Sequence, residues 1–138
     1  MSVELYPMQA DDLFWIDLRD EYRDKVTEIL EANPHVFEGP YSHTLWHSSG
    51  VPLSAAGIMH NGESWALMSR DMKGYGLKFS AYVRSHGLEP WVRDTGTPVI
   101  AHVDNDFPEA IRWVRLLGFR PEYDFGDKTK WVFYADAE

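Results

Sequence analysis

Apolar residues recur with a helical period near the start of the chain. Trp15, Leu18, Tyr22, Val26 and Ile29 form one stripe between Ala10 and Glu31, the spacing of a helix with a single buried face. Asp11 and Asp12 stand at its beginning, where the helix dipole favours acid. The stripe fits one long helix or two short ones. Ahead of it, Val3 to Pro7 reads as a short strand.

Residues 32–42 (ANPHVFEGPYS) collect Pro, Gly and Asn and read as a loop, and its aromatics and histidine make it a candidate wall for a binding site. Three strands are expected next, at Thr44–Ser49, Val51–Met59 and Glu63–Ser69. They turn at Gly50 and at His60-Asn61-Gly62, so they form an antiparallel meander. Helical character runs from Gly76 to His86, with Leu77, Ala81 and Tyr82 on one side, and can resume over Leu88 to Arg93 despite Gly87 and Pro90. Thr97 to Val103 (TPVIAHV) is an apolar run of strand length, as expected of a strand covered on both faces.

In EAIRWVRLLGF, Ala110, Ile111, Val114 and Leu117 share a helical face and Gly118 ends the helix. Asp106 with Glu109 three residues later has the form of a capping box, and Pro108 suits the first turn. Two final strands, Phe119–Phe125 and Trp131–Ala135, meet at Gly126-Asp127-Lys128. The order is β, α, β, β, β, α, β, α, β, β. That predicts an α/β (α+β) protein with a mixed sheet and helices on both faces. The 138 residues supply one well-packed core, hence a single domain over residues 1–138.

Charge narrows the partners. Thirteen Lys and Arg against 22 Asp and Glu leave a formal charge of −9, which repels phosphate backbones and argues against a general nucleic-acid binder. Arg70, Lys73, Lys78, Arg84, Arg112, Arg115 and Arg120 nevertheless gather in the second half, an arrangement that fits either an anionic small ligand or a solvated charged face. No apolar run approaches membrane-span length, and the acidic N-terminus is unlike a signal peptide. A cytoplasmic location is therefore expected, and the lack of cysteine is consistent with it.

The element order, the helix closing in Leu117-Gly118-Phe119 and the strand pair after it together resemble the GNAT superfamily of acetyl-CoA-dependent N-acyltransferases. The resemblance implies that a fourth strand (Glu63–Ser69) and a parallel fifth (Thr97–Val103) splay apart to admit the pantetheine arm, bonded to strand backbone near Leu67 and Met68. It also implies a pyrophosphate loop after strand four. Here that loop is Arg70-Asp71-Met72-Lys73-Gly74-Tyr75-Gly76, leading into Leu77. Gly74 and Gly76 fit the spacing, while Asp71 fills the usual Gln/Arg slot. In the last helix Ala110, Gly118 and Phe119 match, but Phe107 replaces an Asn and Val114 replaces the Tyr that serves as general acid. Valine has no proton to give.

A closer resemblance covers residues 48–135. GVPLSAAGI, SWALMSRD and VDNDFPEAIRWVRLLGF, with Trp65 and the Arg112-Trp113 pair, are similar to small GNAT-like proteins of tailed bacteriophages, a group that includes an internal virion protein of T7-like phages. That likeness implies a location in the host cytoplasm or the virion, with phage or host proteins as partners.

The candidate chemistry follows. Glu63 begins strand four, where the fold commonly holds a carboxylate that receives the amine proton through water, though a Glu after Asn-Gly is also an ordinary turn residue. His43 and His47 share a strand face, and His43 is a candidate acid-base group with Tyr82; Tyr82, Tyr123 or water would have to stand in for the missing acid. Trp113 and Arg112 either hold adenine and phosphates or form core and exposed face. The histidines lack metal-ligand spacing, and no Gly-x-Ser-x-Gly elbow supports a hydrolase. Two functions result: an N-acetyltransferase, with acetyl-CoA and an amine entering near Glu38, Tyr41 and His43, or a catalytically degenerate GNAT-fold virion, assembly or protein-binding component.

Overall fold

The computed structural model describes residues 3–70, 72 and 74–134. β1 (Val3–Pro7) is followed by two helices, α1 (Asp12–Trp15) and α2 (Asp20–Ala32). The amphipathic stripe is thus divided. Arg23 causes the break by bonding the carbonyls of Phe14, at 3.3 Å, and of Ile16, so the last turn of α1 is closed by a side chain instead of by more helix. The linker is also tied down, because Asp17 accepts both the backbone N–H (2.9 Å) and the guanidinium (2.8 Å) of Arg70.

β2 (His43–His47), β3 (Pro52–Ile58) and β4 (Ser64–Met68) form the expected meander. They join β1 in a four-stranded antiparallel sheet of order β1-β2-β3-β4. The period-2 alternation of β3 sorts the core. Ala55 faces a cluster with Leu13, Ile16, Val26 and Leu30 of the first two helices and their linker, whereas Ala56 faces the opposite side and a cluster with Phe79. Helices therefore cover both faces of this sheet.

Next come α3 (Gly76–Val83), a π-helical turn (Arg84–Leu88) and α4 (Glu89–Thr95), which run on without a gap. The wide turn explains how helix passes Gly87 and Pro90. Glu89 N–H bonds back to the Arg84 carbonyl, and this wider ring makes room for a proline that an ordinary α-turn would reject.

β5 (Val99–Asp104), β6 (Arg120–Asp124) and β7 (Lys128–Phe133) form a second antiparallel sheet of order β5-β7-β6. β5 is not covered on both faces. Val99, Ala101 and Val103 are buried while His102 and Asp104 are exposed, because helices pack on one side only of this strand. Every residue of β6 is exposed.

α5 (Pro108–Leu117) buries Val114 and Leu117 against β5 and β7. Its end is as expected: Gly118 takes φ +102° and Phe119 N–H reaches the Val114 carbonyl at 2.9 Å. Its start is not. Phe107, not Asp106, holds the N-cap position and no side chain caps the helix. The proposed Asp106–Glu109 box is absent because Pro108 fixes the first turn one residue later than the box requires.

The tightest packing constraint lies in β3. A Cβ on Gly57 would sit 2.1 Å from Ser42 Oγ, 2.7 Å from its Cβ and 2.9 Å from its Cα. Gly57→Ala should therefore lower the unfolding free energy by about 2 kcal/mol, the cost of overpacking a closed site, as read from urea denaturation.

Candidate functional site

The two sheets meet at one place. Glu63 and Ile100 form an isolated parallel bridge, in which Ile100 N–H donates to the Gly62 carbonyl at 2.9 Å and Ser64 Oγ donates to the Ile100 carbonyl at 3.0 Å. Beyond it no ladder joins β4 to β5, which are edge strands of different sheets. The direction of the β4 backbone then follows from its register. Met59 N–H donates to the Glu63 carbonyl and Ser69 N–H to the Leu53 carbonyl, so odd-numbered residues of β4 turn their polar groups toward β3. Ala66 and Met68 turn theirs away, into the gap. A cavity of about 740 Å³ occupies this gap, with Ala66, Met68, Ala101, Val103 and Trp113 among its walls.

On the α3 side the cavity reaches Tyr41, His43 and Tyr82. The His43 ring lies edge-on to His86, with centroids 5.7 Å apart, and Tyr82 contacts His86 in the same way at 5.7 Å. Burial holds the His43 imidazole below its usual pKa; a positive charge on His86 would lower it further, and a hydrogen bond with the Tyr41 backbone opposes this. His43 is accordingly neutral at neutral pH. Tyr41 Oη donates to Asp94 at 3.0 Å, and its ring meets Trp91 edge-on at 5.1 Å.

On the α2 side the walls are Tyr22, Trp65, Leu67, His102 and Phe107. Tyr22 and Phe107 lie 6.3 Å apart. Burial raises the Tyr22 phenol, as do Glu21, Asp104 and Glu109, while Arg19 offsets part of the shift. Beside this wall Glu63 Oε1 stands 3.3 Å from His102 Nδ1.

His43 and Tyr82 come together. Glu63 does not join them, because it shares the sheet face of Trp65 and Leu67, whereas His43 pairs with Ala56, itself paired with Ala66, on the opposite face. Glu38 is not at the cavity. It accepts Ala10 N–H at 2.7 Å and lies 2.8 Å from His35 Nδ1, contacts that hold its carboxyl below the usual range.

Among the ligand-binding candidates, Leu67 and Met68 line the gap. Arg70 lines it too, but its guanidinium is held by Asp17. Gly74 takes φ +91° in open space and Gly76 opens α3 with nothing near it. Tyr75 turns its ring to His47 at 5.9 Å instead of toward the gap. Leu77 is 76% exposed, and Arg112 is exposed on α5. Trp113 stacks on Phe79 at 5.9 Å and donates from Nε1 to Ser80 Oγ at 2.8 Å, so it braces α5 on α3 and serves as cavity wall at once. Val114 is buried, in the core and on the wall, with no phenol in its place. Asp71 and Lys73 lie outside the described residues.

His102 is the residue that the sequence reading passed over. Its signal was present in TPVIAHV, where a lone polar residue interrupts an apolar strand two positions after the bridge.

No protein-family model matches this sequence, and no curated protein matches it. Solved structures do. A Bordetella pertussis protein described as a GnaT-family acetyltransferase superposes with TM-score 0.64 at 18% identity, over 98% of this chain and 100% of its own. A GNAT superfamily phosphinothricin acetyltransferase of Sinorhizobium meliloti, solved with AcCoA, gives 0.64 at 16% identity, over 96% and 87%. A spermidine N-acetyltransferase SpeG chimera from Vibrio cholerae and hSSAT gives 0.61 at 14%, over 97% and 95%. The chain thus has the mixed α+β fold of the GNAT acetyltransferases, with helices on both faces and strands four and five splayed.

Proposed function

We propose that the protein is an acyl-CoA-dependent N-acyltransferase that transfers an acetyl group to an amine. The observation that carries this reading is the gap itself: two parallel strands joined at one end, open along the rest, with the Ala66 and Met68 backbone facing a cavity of about 740 Å³. A ligand with alternating amide donors and acceptors satisfies such an edge as a third strand would. Acetyl-CoA has that chemistry in its pantetheine arm, and solved proteins of this fold include one in complex with it.

The loop end fits the anionic part of the ligand. Gly74 and Gly76 leave open space above the backbone, and the N-terminal turn of α3 has no side-chain cap, so its N–H groups are available to pyrophosphate. Arg70 does not serve there while Asp17 holds it.

Acetyl-CoA supplies an activated acyl carbon as its thioester; the chain supplies orientation and proton control. Met68 N–H is the donor directed at the thioester oxygen. The amine nitrogen attacks the acyl carbon, the C–N bond forms, the C–S bond breaks, and sulfur leaves as thiolate. Tyr82, on α3 itself, gives that sulfur its proton, the role for which Val114 has no group; the other phenol on this side, Tyr41, is bonded to Asp94. His43, whose burial disfavours its charged form, lines the same wall.

One observation favours a second reading. Val114 is a core residue, so the position from which this fold commonly delivers a proton has been given to packing. On that reading the chain is a non-catalytic GNAT-fold component of a phage particle or a protein-binding module.

Four measurements separate these readings. Titration calorimetry should find acetyl-CoA binding with micromolar Kd, about 8 kcal/mol, and amide exchange should show Ala66 and Met68 faster than Trp65 and Leu67 in the free protein and slowed by the ligand. Tyr82→Phe should reduce kcat by roughly 10²-fold or more with acetyl-CoA affinity unchanged, as followed by thiol release. Mass spectrometry of purified phage particles should not detect the chain; its presence there would favour the second reading.

A further inference from the structure

The acyl-transfer steps above leave one polar pair unused. Glu63 belongs to the bridge between the sheets, and His102 lies two residues beyond the bridge on β5; their side chains meet at 3.3 Å and are each more than a third exposed. A carboxylate accepts hydrogen bonds, so in this contact Nδ1 of His102 is the donor and Nε2 is the ring nitrogen turned away from Glu63. His102 also lines the cavity. Here an imidazole with Nδ1 turned to Glu63 stands beside the gap on the face opposite to His43 and Tyr82.

What lies outside this pair is aromatic. Phe125 is 6.4 Å from the His102 ring, and Tyr123 is 4.6 Å from Phe125. The two rings are 58% and 59% exposed. They stand on one face with Lys130, the strand partner of both His102 and Tyr123, whose charge is taken by Glu122 at 3.0 Å. Asp104 and Lys128 share this face as an exposed pair 4.0 Å apart, and beside them the two rings form an apolar shelf that leads up to an acid-base group.

We propose that His102, positioned by Glu63, takes the proton from the acceptor ammonium, and that the acceptor is a primary amine whose aromatic group rests on Tyr123 and Phe125. The proposal rests on the acyltransferase reading. The ammonium gives its first proton to His102 Nε2, and the freed nitrogen pair forms the C–N bond as the C–S bond breaks. The second nitrogen proton is lost as the amide forms and balances the one that sulfur gains, while His102 returns its proton to solvent. The −9 charge of the chain favours a cationic acceptor over an anionic one.

The test uses acetyl-CoA with 2-phenylethylamine and, for comparison, ethanolamine, each followed by thiol release. The aromatic amine should have at least tenfold higher kcat/KM. His102→Ala should lower kcat about 10²-fold with acetyl-CoA affinity unchanged, and added imidazole should restore part of it. Glu63→Ala should lower kcat less, with KM unchanged and imidazole without effect. Phe125→Ala should raise KM for the aromatic amine and leave that for ethanolamine alone. His102→Ala within twofold of wild type, or ethanolamine as good a substrate as 2-phenylethylamine, overturns the proposal. So does Phe125→Ala that leaves KM unchanged but dissociates a dimer, which assigns the shelf to a second copy. Acetyl-CoA binding without turnover of either amine overturns the proposal and leaves the binding site standing, whereas no binding at millimolar acetyl-CoA removes the acyltransferase reading as well.

Discussion

A single backbone contact, Ile100 N–H on the Gly62 carbonyl, sets the geometry of this molecule. It joins two sheets that are otherwise separate ladders, and it lies at one end of both edge strands. A full parallel ladder would satisfy every amide and leave no room. Complete separation would leave two open edges with nothing to align them. One bridge fixes the origin and direction of the divergence, and the right-handed twist of each sheet carries the strands apart from there. The cavity, its exposed backbone and the residues on its two faces all follow from where this bridge is made.

Much of this was legible in the sequence because the relevant signals are local. Val3–Pro7, the meander and the Gly118 stop depend on alternation, turn residues and left-handed glycine, which a short window contains. The element order followed, and with it the fold. The continuity of α3, the π-turn and α4 was less visible, since helix propensity penalises Gly87 and Pro90 and cannot anticipate the widened turn that accommodates them. The break between α1 and α2 depends on Arg23 reaching back to two carbonyls, a contact that the apolar stripe does not encode.

The site was legible in parts. The gap-facing backbone of Met68 follows from strand position, whereas Leu67 turns its polar backbone groups to β3; His43 and Tyr82 both reach the cavity. Arg70 is engaged by another group for a physical reason. Its neighbours in sequence make it a phosphate ligand, but Asp17, brought near by the linker between α1 and α2, offers both a carboxylate and a carbonyl. Glu38 is similar, being drawn to Ala10. Glu63 and His43 could not be assigned to opposite faces without the register, in which one residue of shift reverses every side chain. His102 escaped notice because its partner is 39 positions away.

The outermost strand of the second sheet, β6, carries an obligation of its own. An open strand edge invites other chains to add to it, and every residue here faces solvent. Arg120, Glu122 and Asp124 put charge on that rim, Pro121 removes one of its donors, and the register slips between Pro121 and Tyr123. An incoming peptide would meet a broken hydrogen-bonding template and a charged rim. The protein can thus leave this border uncovered and still resist polymerising along it.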